Sequence, residues 1–168
     1  MYHISSSIHV PYISIMKKLI VVLTFLVYCN ISFAQQTEIT AIKQTITTLF
    51  DAMRKSDSTL LRSTFAKGMV LQSVGKAKDG LTVLQSESPG EFVKSVGTPH
   101  KGIYDERIIF ADIKIDGDLA SVWAPYKFYI DDKFSHCGVD VFQLIKTAAG
   151  WKVIYIVDTR RKDGCPVM

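Results

Sequence analysis

The stretch Trp123–Arg161, WAPYKFYIDDKFSHCGVDVFQLIKTAAGWKVIYIVDTRR, decides the fold. It is dense in β-branched and aromatic residues and is cut by two turn signals, Asp131-Asp132-Lys133 and Ala148-Ala149-Gly150. It reads as three consecutive antiparallel strands, Leu119–Ile130 (which begins just upstream), Phe134–Lys146 and Trp151–Arg160. A fourth strand, Ile108–Ile115, precedes them and turns back at Asp116-Gly117, a tight hairpin signal.

Side chains alternate across a strand, so the meander has two faces. If the turns are tight, position 126 lies beside 138, and 138 beside 158. One face then carries Tyr126, Phe128, His136, Gly138, Asp140, Phe142, Ile154, Ile156, Asp158 and Arg160. The other carries Trp123, Pro125, Tyr129, Cys137, Val139, Val141, Val153, Tyr155 and Val157. Both faces are largely apolar, and both need cover. The polar residues of the first face suit the wall of a pocket beneath helices. The second, mostly Val and aromatic, suits a contact with a second copy of the chain through Val139, Val141, Val153 and Tyr155. A loop or the C-terminal tail over that face is the alternative.

The helices lie upstream. Ile39, Ile42, Ile46, Leu49, Phe50 and Met53 recur at spacings of three and four, one apolar stripe on a helix opening at Thr37. Ser56-Asp57-Ser58 breaks it and caps a shorter helix carrying Leu60, Leu61 and Phe65, which stops at Gly68. Met69–Val74 reads as a short strand and Gly75–Gly80 as a polar turn. Ser88-Pro89-Gly90-Glu91 opens a third helix with Phe92, Val93 and Val96 on its apolar side. Gly97–Gly102 is a loop, and its His100 reads as a surface residue. Helices followed by an antiparallel meander make an α+β fold.

Ahead of this domain, Met16-Lys17-Lys18 leads into LIVVLTFLVYCNISF and the small-x-small step Ser32-Phe33-Ala34. That is the layout of a secretory signal peptide, with Met16 as the initiator and residues 1–15 an upstream extension. The run is short for a membrane span, which needs about 20 apolar residues. Tyr28 before Cys29 argues against lipidation. The expected organisation is 1–34 as extension and signal, and 35–168 as one domain, periplasmic or secreted. Cleavage removes Lys17 and Lys18, so the 20 basic residues become 18 against 16 acidic, and the charge falls from +4 to +2. Arg160-Arg161-Lys162 is the only basic run, flanked by Asp158 and Asp163, so a nucleic-acid surface is not expected. Two cysteines remain, Cys137 and Cys165. The favoured reading is two unpaired thiols, one buried and one in the tail; an oxidising compartment leaves a disulfide open.

The order of helices and meander, with Asp116-Gly117-Asp118-Leu119-Ala120, Trp123-Ala124-Pro125-Tyr126, His136-Cys137-Gly138-Val139-Asp140, Gly150-Trp151-Lys152-Val153 and Asp158-Thr159-Arg160-Arg161, resembles the nuclear transport factor 2-like superfamily. More narrowly it resembles small secreted members from Bacteroidetes-type bacteria, some bearing a lumazine-binding label, and the polyketide-cyclase-like subgroup. The resemblance covers residues 36–166. It implies a cone-shaped, strongly curved antiparallel sheet around N-terminal helices, a pocket inside the cone, and frequent dimers through the sheet. The superfamily holds isomerases, dehydratases, cyclases and non-catalytic binders, so fold does not fix function.

The chemistry on the polar face is a His/Asp/Asp set. His136 and Asp140 are four residues apart on one strand, and Asp158 is expected across from Gly138, between them. A carboxylate beside an imidazole orients it and raises its pKa, and a desolvated carboxylate becomes a base. Tyr126 can donate to a developing oxyanion. Such a set suits isomerisation, dehydration or aldol-type cyclisation without a cofactor. Tyr126, Phe128, Phe142, Ile156 and Arg160 would line the ligand site. Three readings stay open: a binder of a small hydrophobic molecule, a cofactor-independent lyase or isomerase, and a structural or interaction dimer with a filled pocket. In the last, Asp158–Arg160 is an ion pair at a strand end, and His136 and Asp140 bond each other or a helix. No close-spaced metal-ligand motif, phosphate loop or dinucleotide fingerprint occurs, so neither metal nor cofactor is expected.

Overall fold

The computed structural model describes residues 10–99 and 102–167, and the side chains of all of these except 10–14, 19 and 21–34. The expected signal core, Cys29, the step at Ala34 and His100 fall outside the described side chains. The chain divides into two compact units, Met1–Ile39 and Thr40–Met168. Among the described residues no helix is long and apolar enough to cross a membrane.

Helix α1 spans Val10–Arg54, so no helix start occurs at Thr37. In the second unit its stripe is buried as the spacing requires: Ile42 and Ile46 are fully buried, and Leu49, Phe50 and Met53 nearly so. Phe50 meets Phe142 of the sheet edge-to-face at 6.1 Å between ring centroids. Helix α2 (Ser58–Ser63) is capped by Asp57, whose side chain accepts from the Leu60 amide. It ends before Gly68, and Phe65 opens strand β1 (Phe65–Lys76) instead of closing the helix. Strand β2 (Thr82–Glu87) was not legible: Thr-Val-Leu-Gln-Ser-Glu is mostly exposed and lacks a clean alternation. Helix α3 (Pro89–Gly97) starts where expected, with Ser88 as its cap.

The predicted strand Ile108–Ile115 is two strands, β3 (Tyr104–Ile108) and β4 (Asp112–Asp116), both paired with β5 (Leu119–Ile130). Then come β6 (Lys133–Thr147) and β7 (Gly150–Thr159). Asp131 and Asp132 make the β5–β6 turn, both with positive φ. The sheet order is β2-β1-β7-β6-β5-β3, with β4 beside β5. The α+β class stands, and the sheet is curved and open. It is mixed, not wholly antiparallel, because β1 runs parallel to β7. Helix α2 carries the chain back to the start of β7, and the Val153 amide bonds the Thr64 carbonyl there.

Two register details correct the face assignment. Tyr126 does oppose Gly138, but Asp158 opposes Asp140 and not Gly138. A bulge between Gln143 and Leu144 pairs Leu144 with Val153, leaving Ile154 as the extra residue. Alternation therefore flips at Ile154, and Val153 is fully buried in the core beside Leu144. Val153 is no part of an outer contact. The outer face keeps Trp123, half exposed and paired with Val141, together with partly buried Val139, Tyr155 and Val157. Cys137 on that face is bonded to Cys165, which overturns the reading of two free thiols. The tail is thereby drawn over one end of the outer face, where Cys137 and Arg161 exchange backbone hydrogen bonds.

Candidate functional site

The inner face of β3, β5, β6 and β7 meets α1 and α3 around a cavity of about 220 Å³. At the ~30 Å³ a water occupies in the liquid, that is room for about seven waters or a small organic molecule. One wall is apolar, from Leu49, Phe50 and Met53 of α1, Phe92 and Val96 of α3, and Phe142 and Ile156 of the sheet. The other is polar, and there the structure gathers His136, Asp140 and Asp158 with Tyr126, Phe128 and Arg160. All eight residues expected at the site reach this one cavity.

Gly138 explains how the polar wall closes. A Cβ built there would sit 1.7 Å from the Thr159 carbonyl oxygen and 2.8 Å from the Tyr126 ring. The space is taken by this close approach, not left for a ligand. It lets the end of β7 lie against β6, so that the Tyr126 hydroxyl donates to the Thr159 carbonyl at 2.9 Å and reaches Asp158 Oδ2 at 3.3 Å. Arg160 Nε donates to the same Oδ2 at 2.7 Å. The ion pair foreseen for Arg160 is therefore made, with Asp158.

Glu106 was missed, and it changes the chemistry. It sits on β3 opposite Phe128, on the inner face, and shares a hydrogen bond with Asp140. Two carboxyl groups in hydrogen-bond contact require a proton between them. Burial raises the Glu106 pKa to about 7, the Asp158 charge adds to this, and the bond to Asp140 restrains it. Burial also lifts Asp140 well above the ordinary carboxyl range, followed by the charge and hydrogen bond of Glu106 and the charge of Asp158. Burial and the same carboxylates push the Tyr126 phenol up, so it stays a donor. The signal in the sequence was a charge at an inward position: Tyr104, Glu106 and Ile108 alternate to one face.

His136 behaves differently from the expectation. Its ring lies between Tyr126 and Phe128, at 5.7 and 5.1 Å between centroids, and its Nδ1 pairs with Ser135 Oγ at 3.1 Å. Burial, then the Arg160 charge, lowers its pKa, against the Asp158 charge. The imidazole is neutral near pH 7 and is not the raised, carboxylate-held base of the sequence reading. The carboxyl groups with raised pKa values are Glu106 and Asp140. Apart from the proton shared between Glu106 and Asp140, two buried oxygens, Asp140 Oδ2 and Asp158 Oδ1, accept no hydrogen bond from any N–H or hydroxyl donor. Among the described residues no group of three ligating side chains is placed to hold a metal.

Neither a family model nor a curated protein sequence matches the chain. Solved structures do. An NTF2-like protein with a cystatin-like fold from Novosphingobium aromaticivorans aligns at a TM-score of 0.65 and 13% identity, over 83% of this chain and 91% of that one. An NTF2-like protein of unknown function from Shewanella baltica aligns at 0.58 and 19%, over 76% and 96%. A candidate dehydratase of the NTF2-like family from Streptomyces avermitilis aligns at 0.56 and 17%, over 76% and 98%. At these identities the likeness is one of fold, and it agrees with the helices, the curved mixed sheet and the inner cavity described above. The chain has the nuclear transport factor 2-like, cystatin-like fold.

Proposed function

We propose that this protein binds a small, largely apolar molecule in the inner cavity, its polar group against Asp140 and Asp158. The observation that carries this reading is the pair of oxygens on those two buried carboxyl groups that accept from no N–H or hydroxyl donor, in the polar wall of a cavity whose other wall is apolar. A buried polar atom without a partner costs about 1–3 kcal/mol, which a bound molecule can recover. Export to an oxidising compartment and pairing of two copies through the outer face belong to the same proposal; the Cys137–Cys165 bond and the half-exposed Trp123 favour them.

Ligand-observed NMR with a set of small aromatic alcohols, ketones and amines tests binding. Ser95 is exposed and lines the cavity from α3, so Ser95→Trp should plug it without disturbing the core. Binding in the wild type that disappears in Ser95→Trp supports the proposal. No binding, or binding indifferent to the plug, overturns it.

A second reading, a cofactor-independent lyase or isomerase, is favoured by the Glu106–Asp140 pair with the Tyr126 hydroxyl nearby. A carboxyl titrating near pH 7 in an apolar site is suited to proton transfer. The probe is 5-nitrobenzisoxazole, whose ring opens at the N–O bond when a desolvated carboxylate removes its C3 proton. Ring opening should rise through pH 7, as Glu106 of the pair gives up its proton, and vanish in Asp140→Asn. A rate unchanged in that variant removes Asp140 as the base.

A further inference from the structure

Taking the cavity as a ligand site, we propose that it selects a small organic cation, an amine or amidine on an apolar body, whose N–H groups are bound by Asp140 and Asp158. The balance of donors and acceptors in the wall carries the argument. Arg160 Nε is bonded to Asp158, and the Tyr126 hydroxyl to the Thr159 carbonyl and Asp158. His136 Nδ1 is paired with Ser135. Among the buried atoms what is left over is acceptor: Asp140 Oδ2 and Asp158 Oδ1, on residues only 4% and 7% exposed, whereas the remaining N–H groups of Arg160 sit on a side chain 53% exposed, where water can meet them, and His136 is only part-buried. A carbonyl or carboxylate ligand would set its own oxygens against these, acceptor to acceptor. A ligand rich in N–H groups has the matching polarity.

Charge points the same way. Glu87, Glu106, Asp140 and Asp158 line the cavity against the single guanidinium of Arg160. A proton shared between Glu106 and Asp140 still leaves the wall net negative. An anion is repelled there, and a monocation is attracted by charges that low surrounding polarity leaves poorly screened. The body of such a ligand would lie on Phe50, Phe92, Phe142 and Ile156 across the cavity.

Three probes share a benzene ring and differ in the head group: benzamidine, benzyl alcohol and benzoate. In isothermal titration calorimetry on the full chain, benzamidine should bind at least tenfold more tightly than benzyl alcohol, and benzoate should not bind. Asp140→Asn and Asp158→Asn should each weaken benzamidine at least tenfold; thermal melts of both variants establish that they are folded. Tighter or equal binding of benzyl alcohol or benzoate overturns the cation inference and leaves the ligand-cavity reading intact. Benzamidine binding indifferent to both Asn variants overturns the inference too, by placing the site elsewhere. Failure of all three probes overturns the inference, and the broader reading then stands or falls on the Ser95→Trp comparison.

Discussion

Replacing Glu106 by Gln keeps the shape of the side chain and removes its charge, so it tests the buried carboxyl pair directly. Glu106 has an ordinary pKa of 4.5 and is held at about 7 in the folded chain. The sign follows from linkage: the folded state keeps the proton over a pH range where the unfolded state has lost it, so stability falls as pH rises. The contribution is intact below pH 4.5 and is lost by the time pH passes 7. At ~1.36 kcal/mol per pH unit the whole loss is about 3 kcal/mol, most of it between pH 5 and pH 8. Asp140, also raised, acts in the same direction. His136, whose pKa is lowered, acts in the opposite one. Asp105 stays out of this window: burial opposes it, but Arg54 and Arg107 hold it below the ordinary range. Comparing wild type and variant at each pH cancels the His136 contribution. Urea unfolding followed by the fluorescence of buried Trp151 is the assay. The wild type should be less stable at pH 8 than at pH 5, and Glu106→Gln should be the more stable of the two at pH 8, by roughly 2–3 kcal/mol. A wild type whose stability does not fall over this range, or a variant weaker than wild type at pH 8, would refute the buried pair.

Gly138→Ala places a methyl group 1.7 Å from the Thr159 carbonyl oxygen, and backbone must move to admit it. The expected cost is about 1–3 kcal/mol, read in a thermal melt, and a variant as stable as wild type would show that β7 does not approach β6 as described. The Cys137–Cys165 bond closes a loop of 28 residues, for which chain entropy gives about 3.6 kcal/mol. The double Ser variant should lose most of that in urea unfolding, and equal stability would deny the bond a constraining role. Val141→Lys places a charge on the proposed subunit contact opposite Trp123. Light scattering should show a dimer become a monomer; a wild-type monomer, or a dimer intact in the variant, sinks that contact.

Most of the meander was legible because its signals are local. Alternation of Val, Ile and aromatic residues marks β5, β6 and β7, and short turns such as Asp131-Asp132 tie one strand's register to the next. The pairing of Tyr126 with Gly138 follows from counting back from a three-residue turn at Asp131-Asp132-Lys133; the structure reaches the same pair through a two-residue turn and a bulge between Phe128 and Tyr129. The same counting brought His136, Asp140 and Asp158 to one face. It failed at Ile154, because a bulge depends on how β7 packs against β1 and Leu144, and no local residue pattern marks it. The bulge misplaces Val153 and supplies one residue of the two-residue error in the partner of Asp158; the other arises at the turn, where Thr147 pairs with Gly150.

By itself, then, the sequence determined the α+β class, the succession of β5, β6 and β7 after the helices, the capped start of α3 and the face on which the polar residues gather, since each follows from the period of side chains along a single segment. The tertiary structure alone decided which carboxyl groups meet. Glu106 lies on β3 and Asp140 on β6, with β5 between them, and 34 residues of chain separate the two. Their contact depends on the curvature of the sheet, and with it come the raised pKa values, the neutral His136 and the acceptor-rich wall that govern what the cavity can hold.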